Sequence, residues 1–181
     1  MTLPAFLNNQ MMSVDSKLRV GIPERFIRVL KKICPDHFRQ IGVAATPDRS
    51  IMLMPHPYFM DELQAWSRLD PRNSDQRTFL NLSASYADLL TMDPQNRIKL
   101  SPQLCDYCNI RAGEKALVVG SIQYMQLFNP DLWTSLFDGG MARFDRAANA
   151  VADRQNAPRP INLYLEAMNG KQRDESHADD E

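Results

Sequence analysis

Two clusters of charged side chains in this sequence share one spacing. Asp15-Ser16-Lys17-Leu18-Arg19 and Asp93-Pro94-Gln95-Asn96-Arg97 each place an aspartate four residues before an arginine, and the copies stand 78 residues apart. A carboxylate at the start of a turn accepts backbone N–H groups, so the plainest reading of each cluster is a turn closed by an ion pair. We expect Asp15 and Asp93 to have that structural role. The arginines differ, because each opens a run of alternating character. Leu18, Val20 and Ile22 fall on one side of the first run, and Ile98 and Leu100 on one side of the second. Alternation of this kind is the period of a half-buried strand. It sets Lys17, Arg19, Arg97 and Lys99 on the face away from the core. Arginine there offers a planar cationic fork for a phosphate or a guanine edge. These four are the candidate DNA-binding residues.

A single Asp-x-x-x-Arg carries no information, but here the sequel repeats as well. Pro23 and Pro102 follow the two runs, and proline suits the first turn of a helix. In the first copy Phe26, Ile27, Leu30 and Ile33 recur at helical spacing until Pro35 and Asp36. Two strands then follow in each copy: QIGVAAT and SIMLM across the turn Pro47-Asp48-Arg49, and KALVVGS and YMQLF. A helix carrying tryptophan closes each copy, Trp66 in YFMDELQAWSRL and Trp133 after the cap Asn129-Pro130-Asp131. Between the copies lies a turn, Asp70 to Ser74, and a further helical stretch.

This arrangement resembles the MraZ family, over about residues 10–140. The resemblance rests on VDSKLRVGIP, MDPQNRIKLSP, SIMLMPHPYFMDELQAWSRL and ALVVGSIQYMQLFNPDLW. It implies an α+β, β-dominated chain: two tandem swapped-hairpin units of the SpoVT-AbrB type forming a pseudo-symmetric barrel with short helices. Residues 10–70 would be the first unit and 71–140 the second; residues 141–181 have no clear counterpart in the family and are expected from their own composition to be an extension of one helix and a disordered acidic tail. The resemblance also implies a transcriptional regulator that binds repeats in a promoter, that of a division and cell-wall gene cluster, and assembles as a homo-oligomeric ring. The loop around each motif would face double-stranded DNA, which carries Lys17, Arg19 and Arg97 over as contacts and Asp15 and Asp93 as the motif acids. The family has glycine just before each arginine, where this chain has Leu18 and Asn96. Asparagine tolerates a positive φ and a branched leucine does so only at a cost, so the first loop is expected to differ in shape from the second.

The net charge of −1 averages over unlike regions. Residues 15–39 hold seven basic and three acidic side chains, whereas the last eleven residues, KQRDESHADDE, hold two basic and five acidic ones. We expect the end to be a solubilising terminus, the alternative being a nucleic-acid mimic that competes for the basic loops. Cys105-Asp106-Tyr107-Cys108 is a CxxC without a second ligand pair, and His37, His56 and His177 are scattered. Structural zinc takes four ligands, so Cys34, Cys105 and Cys108 are expected to be core thiols, with no cofactor or metal.

No GxSxG, phosphate-cradling glycine loop or metal-spaced histidine pair is present, and we expect a protein that is not an enzyme and takes no small-molecule substrate. No apolar run is long enough to span a bilayer, and no secretion signal opens the chain. The expected location is the cytoplasm, at the nucleoid. The alternative function is an oligomeric protein-interaction scaffold that has lost DNA binding, with the basic helix face of Arg25, Arg28 and Lys32 pairing protomers or holding an acidic partner.

Overall fold

The computed structural model describes residues 4–137 and residue 146. Strand β1 (Asn9–Ser13) precedes the first motif and β2 (Arg19–Gly21) follows it. Pro23 caps α1 (Glu24–Ile33), and the spacing of Phe26, Ile27 and Leu30 turns all three into the core. Strands β3 (Gln40–Ala45) and β4 (Ile51–Pro55) form a hairpin, followed by α2 (His56–Trp66) and α3 (Ser74–Ser85). The second half runs β5 (Asp88–Thr91), β6 (Arg97–Lys99), α4 (Pro102–Tyr107), β7 (Lys115–Ser121), β8 (Tyr124–Phe128) and α5 (Pro130–Phe137). The helices and hairpins expected from periodicity are in place. The expected extension 141–181 lies outside the described residues, apart from residue 146.

Strands β1 and β5 were not expected, and they decide the topology. One six-stranded antiparallel sheet has the order β1-β7-β8-β4-β3-β5, and β2 and β6 form a separate two-stranded ribbon. The order is symmetric about the β8–β4 contact. Strand β1, from the first half of the sequence, pairs with β7 of the second (Met11 opposite Leu117), and β5 pairs with β3 of the first (Ile41 opposite Leu90). The halves therefore exchange a strand, and the ribbon joins them again. The sheet is open, with β1 and β5 at its edges. The closed barrel expected from the resemblance is not found among the described residues, and the fold is mixed α+β with a β-rich antiparallel sheet.

The sheet is covered on both sides where its central strands lie, which explains why Ile51 to Met54 are apolar without interruption. Ile41, Val43, Ile51 and Leu53 face the main core, shared with Val20, Ile98, Phe26, Leu30, Leu104 and Leu127. Ala44, Met52 and Met54 face a smaller cluster with Phe59 and Trp66 of α2, against which Phe79 and Leu80 of α3 pack. Gly42 is required on that side, because a Cβ there would collide with the Phe59 ring. The main core is what fixes the ribbon: Val20 and Ile98, directly opposite each other, are fully buried. Their neighbours in sequence must then face outward.

Candidate nucleic-acid interface

Each motif folds as the same turn. Asp15 Oδ1 accepts from the backbone N–H groups of Lys17 (2.8 Å) and Arg19 (3.0 Å), while Asp15 Oδ2 accepts from Arg19 Nε at 2.6 Å. Asp93 Oδ1 accepts from Gln95 (2.9 Å) and Arg97 (3.0 Å), while Asp93 Oδ2 accepts from Arg97 Nε at 2.8 Å. The main chain closes both turns alike, with Leu18 N–H donating to Asp15 O and Asn96 N–H to Asp93 O. The aspartates thus build the loops and also aim the arginines.

These bonds favour the ionised acids. The Asp15 carboxyl is lowered to about 2, chiefly by the Arg19 backbone N–H and then by the Arg19 side chain and Lys17 N–H, against an opposing cost of partial burial. Asp93 is also lowered, chiefly by the Arg97 side chain, again against partial burial.

The expected difference between the loops does not occur. Leu18 adopts φ 58° and Asn96 φ 59°. Leucine enters the left-handed region because its backbone is held on both sides: its N–H by Asp15 O, and its O by Leu100 N–H at 3.0 Å. Its half-buried side chain also packs against the main core. These contacts together outweigh the steric cost that set the expectation.

The β2–β6 ribbon brings together three of the four candidate cations, Arg19, Arg97 and Lys99, while Lys17 lies in the turn just before β2. Arg19 lies directly opposite Lys99, and Gly21 opposite Arg97. Lys17 and Lys99 are exposed. Arg19 and Arg97 are half-buried, with side chains 31% and 30% accessible. Their guanidinium groups are unequally engaged. Arg19 gives Nε to Asp15, whereas Arg97 also directs Nη2 to Asp93 (2.7 Å) and to Gln95 Oε1 (3.1 Å). Arg97 Nη1 stands 3.7 Å from Asp15 Oδ2, so the two motifs touch.

A fifth cation at this surface is absent from the sequence expectation. Arg39, in the loop before β3, donates from Nη1 to Asp93 O at 3.0 Å. No local pattern announces a bond between residues 54 positions apart.

The cysteines are buried free thiols, as expected. Burial pushes Cys105 up to about 11, with Asp106 adding to it, and Cys108 up to about 12, with Cys105 adding to it. Among the described residues no group of three or more metal-ligating side chains comes together, and no helix is long and apolar enough to cross a membrane.

No family model matches the chain. It is similar to proteins named transcriptional regulator MraZ from several bacteria. The one from Thermomicrobium roseum is 29% identical over 131 residues, 72% of this chain and 85% of that protein. The one from Pelodictyon phaeoclathratiforme is 23% identical over 146 residues, 78% and 95% of the two chains. The one from Saccharophagus degradans is 27% identical over 128 residues, 71% and 84%. The matched stretches are long enough to take in both motifs and the sheet.

Proposed function

We propose that this chain, which belongs to the MraZ family of transcriptional regulators, regulates transcription by binding double-stranded DNA through the outward face of the β2–β6 ribbon. The observation that carries this reading is the cross-strand register, Arg19 opposite Lys99 and Gly21 opposite Arg97. Like charges directly opposite on a ribbon destabilise it. The register nevertheless sets Arg19 against Lys99 with Arg97 on the same ribbon, and in this reading Lys17, in the adjoining turn, joins them on the DNA-facing side, where Asp15 and Asp93 offset only part of the charge. A polyanion would complete that balance, and a DNA backbone with its base edges fits a narrow two-stranded ribbon.

Each chain offers few cations, so useful affinity requires several copies engaging repeated sites together. A homo-oligomeric ring acting on promoter repeats, those of a division and cell-wall gene cluster, is the arrangement that supplies this. Within each chain we take residues 10–70 and 71–140 as the two reading units.

The test is a mobility-shift titration of the full chain on duplexes enriched from random DNA by repeated selection. Regularly spaced repeats in the enriched pool, and loss of binding in Arg19→Ala/Arg97→Ala, are the expected results. Undiminished binding by the double variant would remove these arginines from the interface. A competing reading, an oligomeric scaffold without DNA affinity, draws on the internal engagement of Arg97 by Asp93, Gln95 and Asp15. Self-association insensitive to salt, together with failure to retain any duplex, would favour the scaffold.

A further inference from the structure

The structure assigns Arg39 as a further phosphate-binding residue of this surface, one that makes its two halves unequal; the inference rests on the DNA-binding reading above. Arg39 belongs to neither motif, yet it is fixed against the second one at several points. Its carbonyl accepts from Met92 N–H at 2.8 Å, next to Asp93 in sequence. Its Nη1 donates to Asp93 O at 3.0 Å. Its guanidinium carbon stands 5.3 Å from the centre of the Phe38 ring. A carbonyl uses one guanidinium donor and does not neutralise the charge. Among the described residues no carboxylate forms a salt bridge with Arg39, and the side chain is exposed. A fixed arginine with no ion-pair partner among the described residues, beside a loop whose own Asp93 and Arg97 pair with each other, is suited to a phosphate oxygen.

The pseudo-symmetry supplies the contrast. Beside the first motif, Val14 N–H donates to Glu114 O at 2.9 Å, as Met92 N–H does to Arg39 O. Glu114 therefore occupies, next to Asp15, the backbone position that Arg39 occupies next to Asp93. Lys17 on the first loop, with Arg111 and Lys115 close to Glu114 in sequence, keeps that half from being acidic, but among the described residues no side chain donates to Asp15 O as Arg39 Nη1 does to Asp93 O. The same scaffold thus presents opposite charges at matching places. At the positions that differ, Lys17 and Glu114 offset each other on the first side whereas Gln95 and Arg39 leave one cation on the second, so against a uniformly anionic backbone the second loop grips more strongly, which gives the chain a preferred direction on an asymmetric site.

The test uses the full chain and a labelled duplex carrying the selected repeats, with anisotropy titrations over a range of salt concentrations. Arg39→Gln is expected to weaken binding about tenfold and to lower the slope of log affinity against log salt by about one. Arg39→Lys should recover most of the slope, because the charge returns, and Glu114→Gln should tighten binding. Thermal melts identify any variant that fails to fold, and Glu114→Gln then carries the test without disturbing the Asp93 loop. Equal losses in the Gln and Lys variants with an unchanged slope would overturn the inference in favour of a purely structural Arg39. Loss of binding in Arg19→Ala/Arg97→Ala while Arg39→Gln and Glu114→Gln match the parent would overturn it and leave the DNA-binding reading standing. Failure of the parent protein to bind any duplex would overturn both.

Discussion

Leu18 and Asn96 occupy the same left-handed conformation, φ 58° and 59°, at equivalent corners of the β2–β6 ribbon. Each carbonyl accepts the ladder bond next to it, Leu18 O from Leu100 N–H at 3.0 Å and Asn96 O from Ile22 N–H at 2.8 Å. One corner is made by a residue that visits this region readily and the other by one that does not, yet the loops coincide. The ribbon and the core beneath it therefore set the loop shape, and the residue before each arginine adapts to it.

The stability of variants at these corners should show that division. The left-handed region costs an ordinary residue about 1–2 kcal/mol, and glycine escapes that cost. Asn96→Gly is expected to raise stability by up to about 1 kcal/mol. Leu18→Gly gains a similar amount but gives up a half-buried side chain worth about 1 kcal/mol, so it should stay within about 1 kcal/mol of the parent. Leu18→Val should lose about 1–2 kcal/mol, since branching at Cβ worsens the clash. Urea unfolding midpoints measure all three. A Leu18→Val protein as stable as the parent would show that the corner is not strained.

The caps on these loops predict an acid limb in the stability curve. Asp15 is lowered from an ordinary value of 3.8 to about 2, and Asp93 is lowered as well. An acid held below its unfolded value adds stability that is complete above the unfolded pKa and lost as the pH falls through the folded one. The loss should therefore develop from about pH 4 down through about pH 2. Asp15→Asn, which cannot become a carboxylate, should melt at a lower temperature than the parent near neutrality and approach it in strong acid. Melting curves that run parallel over that range would contradict the role given to the carboxylate.

Periodicity made α1, α2 and the two hairpins legible, because their apolar spacing reports a buried face directly. It missed β1 and β5 for a physical reason. NQMMS lies at a sheet edge with mostly exposed side chains, and DLLT is only four residues long, with exposed ends. Both are strands because of partners in the other half of the chain, Leu117 for Met11 and Ile41 for Leu90. The site was legible as far as the motifs reached, since Asp15, Arg19, Asp93 and Arg97 declare a turn by spacing alone. The cross-strand meeting of Arg19 with Lys99, the 3.7 Å approach of Arg97 to Asp15 and the attachment of Arg39 to Asp93 all depend on tertiary pairing. The left-handed Leu18 is not legible from local sterics, because the bond that holds it comes from Leu100 in the other half of the chain.

Glu62 predicts a pH effect of the opposite sign. It is a buried residue of α2, 5% accessible, and accepts from Nε1 of Trp66, itself packed with Met52, Met54 and Phe59, at 2.8 Å. Burial raises its pKa above the ordinary 4.5, partly offset by the tryptophan hydrogen bond. Stability tied to such an acid is complete below the unfolded value and declines as the pH rises from about 4.5 through the raised one. Glu62→Gln keeps an oxygen for Trp66 and removes the charge. It should be more stable than the parent at pH 7, and the two should converge near pH 4. Calorimetric melts at several pH values measure the difference, and a constant offset would show that Glu62 is paired in a way that cancels its burial.

The buried thiols give a chemical prediction. Cys105 and Cys108 are 1% and 0% accessible, with pKa values pushed up to about 11 and about 12. The reactive species is the thiolate, and at pH 8 its population is smaller than that of a free cysteine by a factor of roughly a hundred or more. Limited access slows the reaction further. Iodoacetamide should therefore leave Cys105 and Cys108 unmodified in the native protein on a timescale that labels both in urea, as read by mass spectrometry of the digested chain. Cys105→Ser should cost about 1–3 kcal/mol, because it sets a hydroxyl in the main hydrophobic core. Added zinc should leave the melting temperature unchanged, since the pair lacks the further ligands a tetrahedral site needs. Rapid native labelling of either thiol, or a zinc-dependent rise in melting temperature, would contradict the purely structural role given to the CxxC.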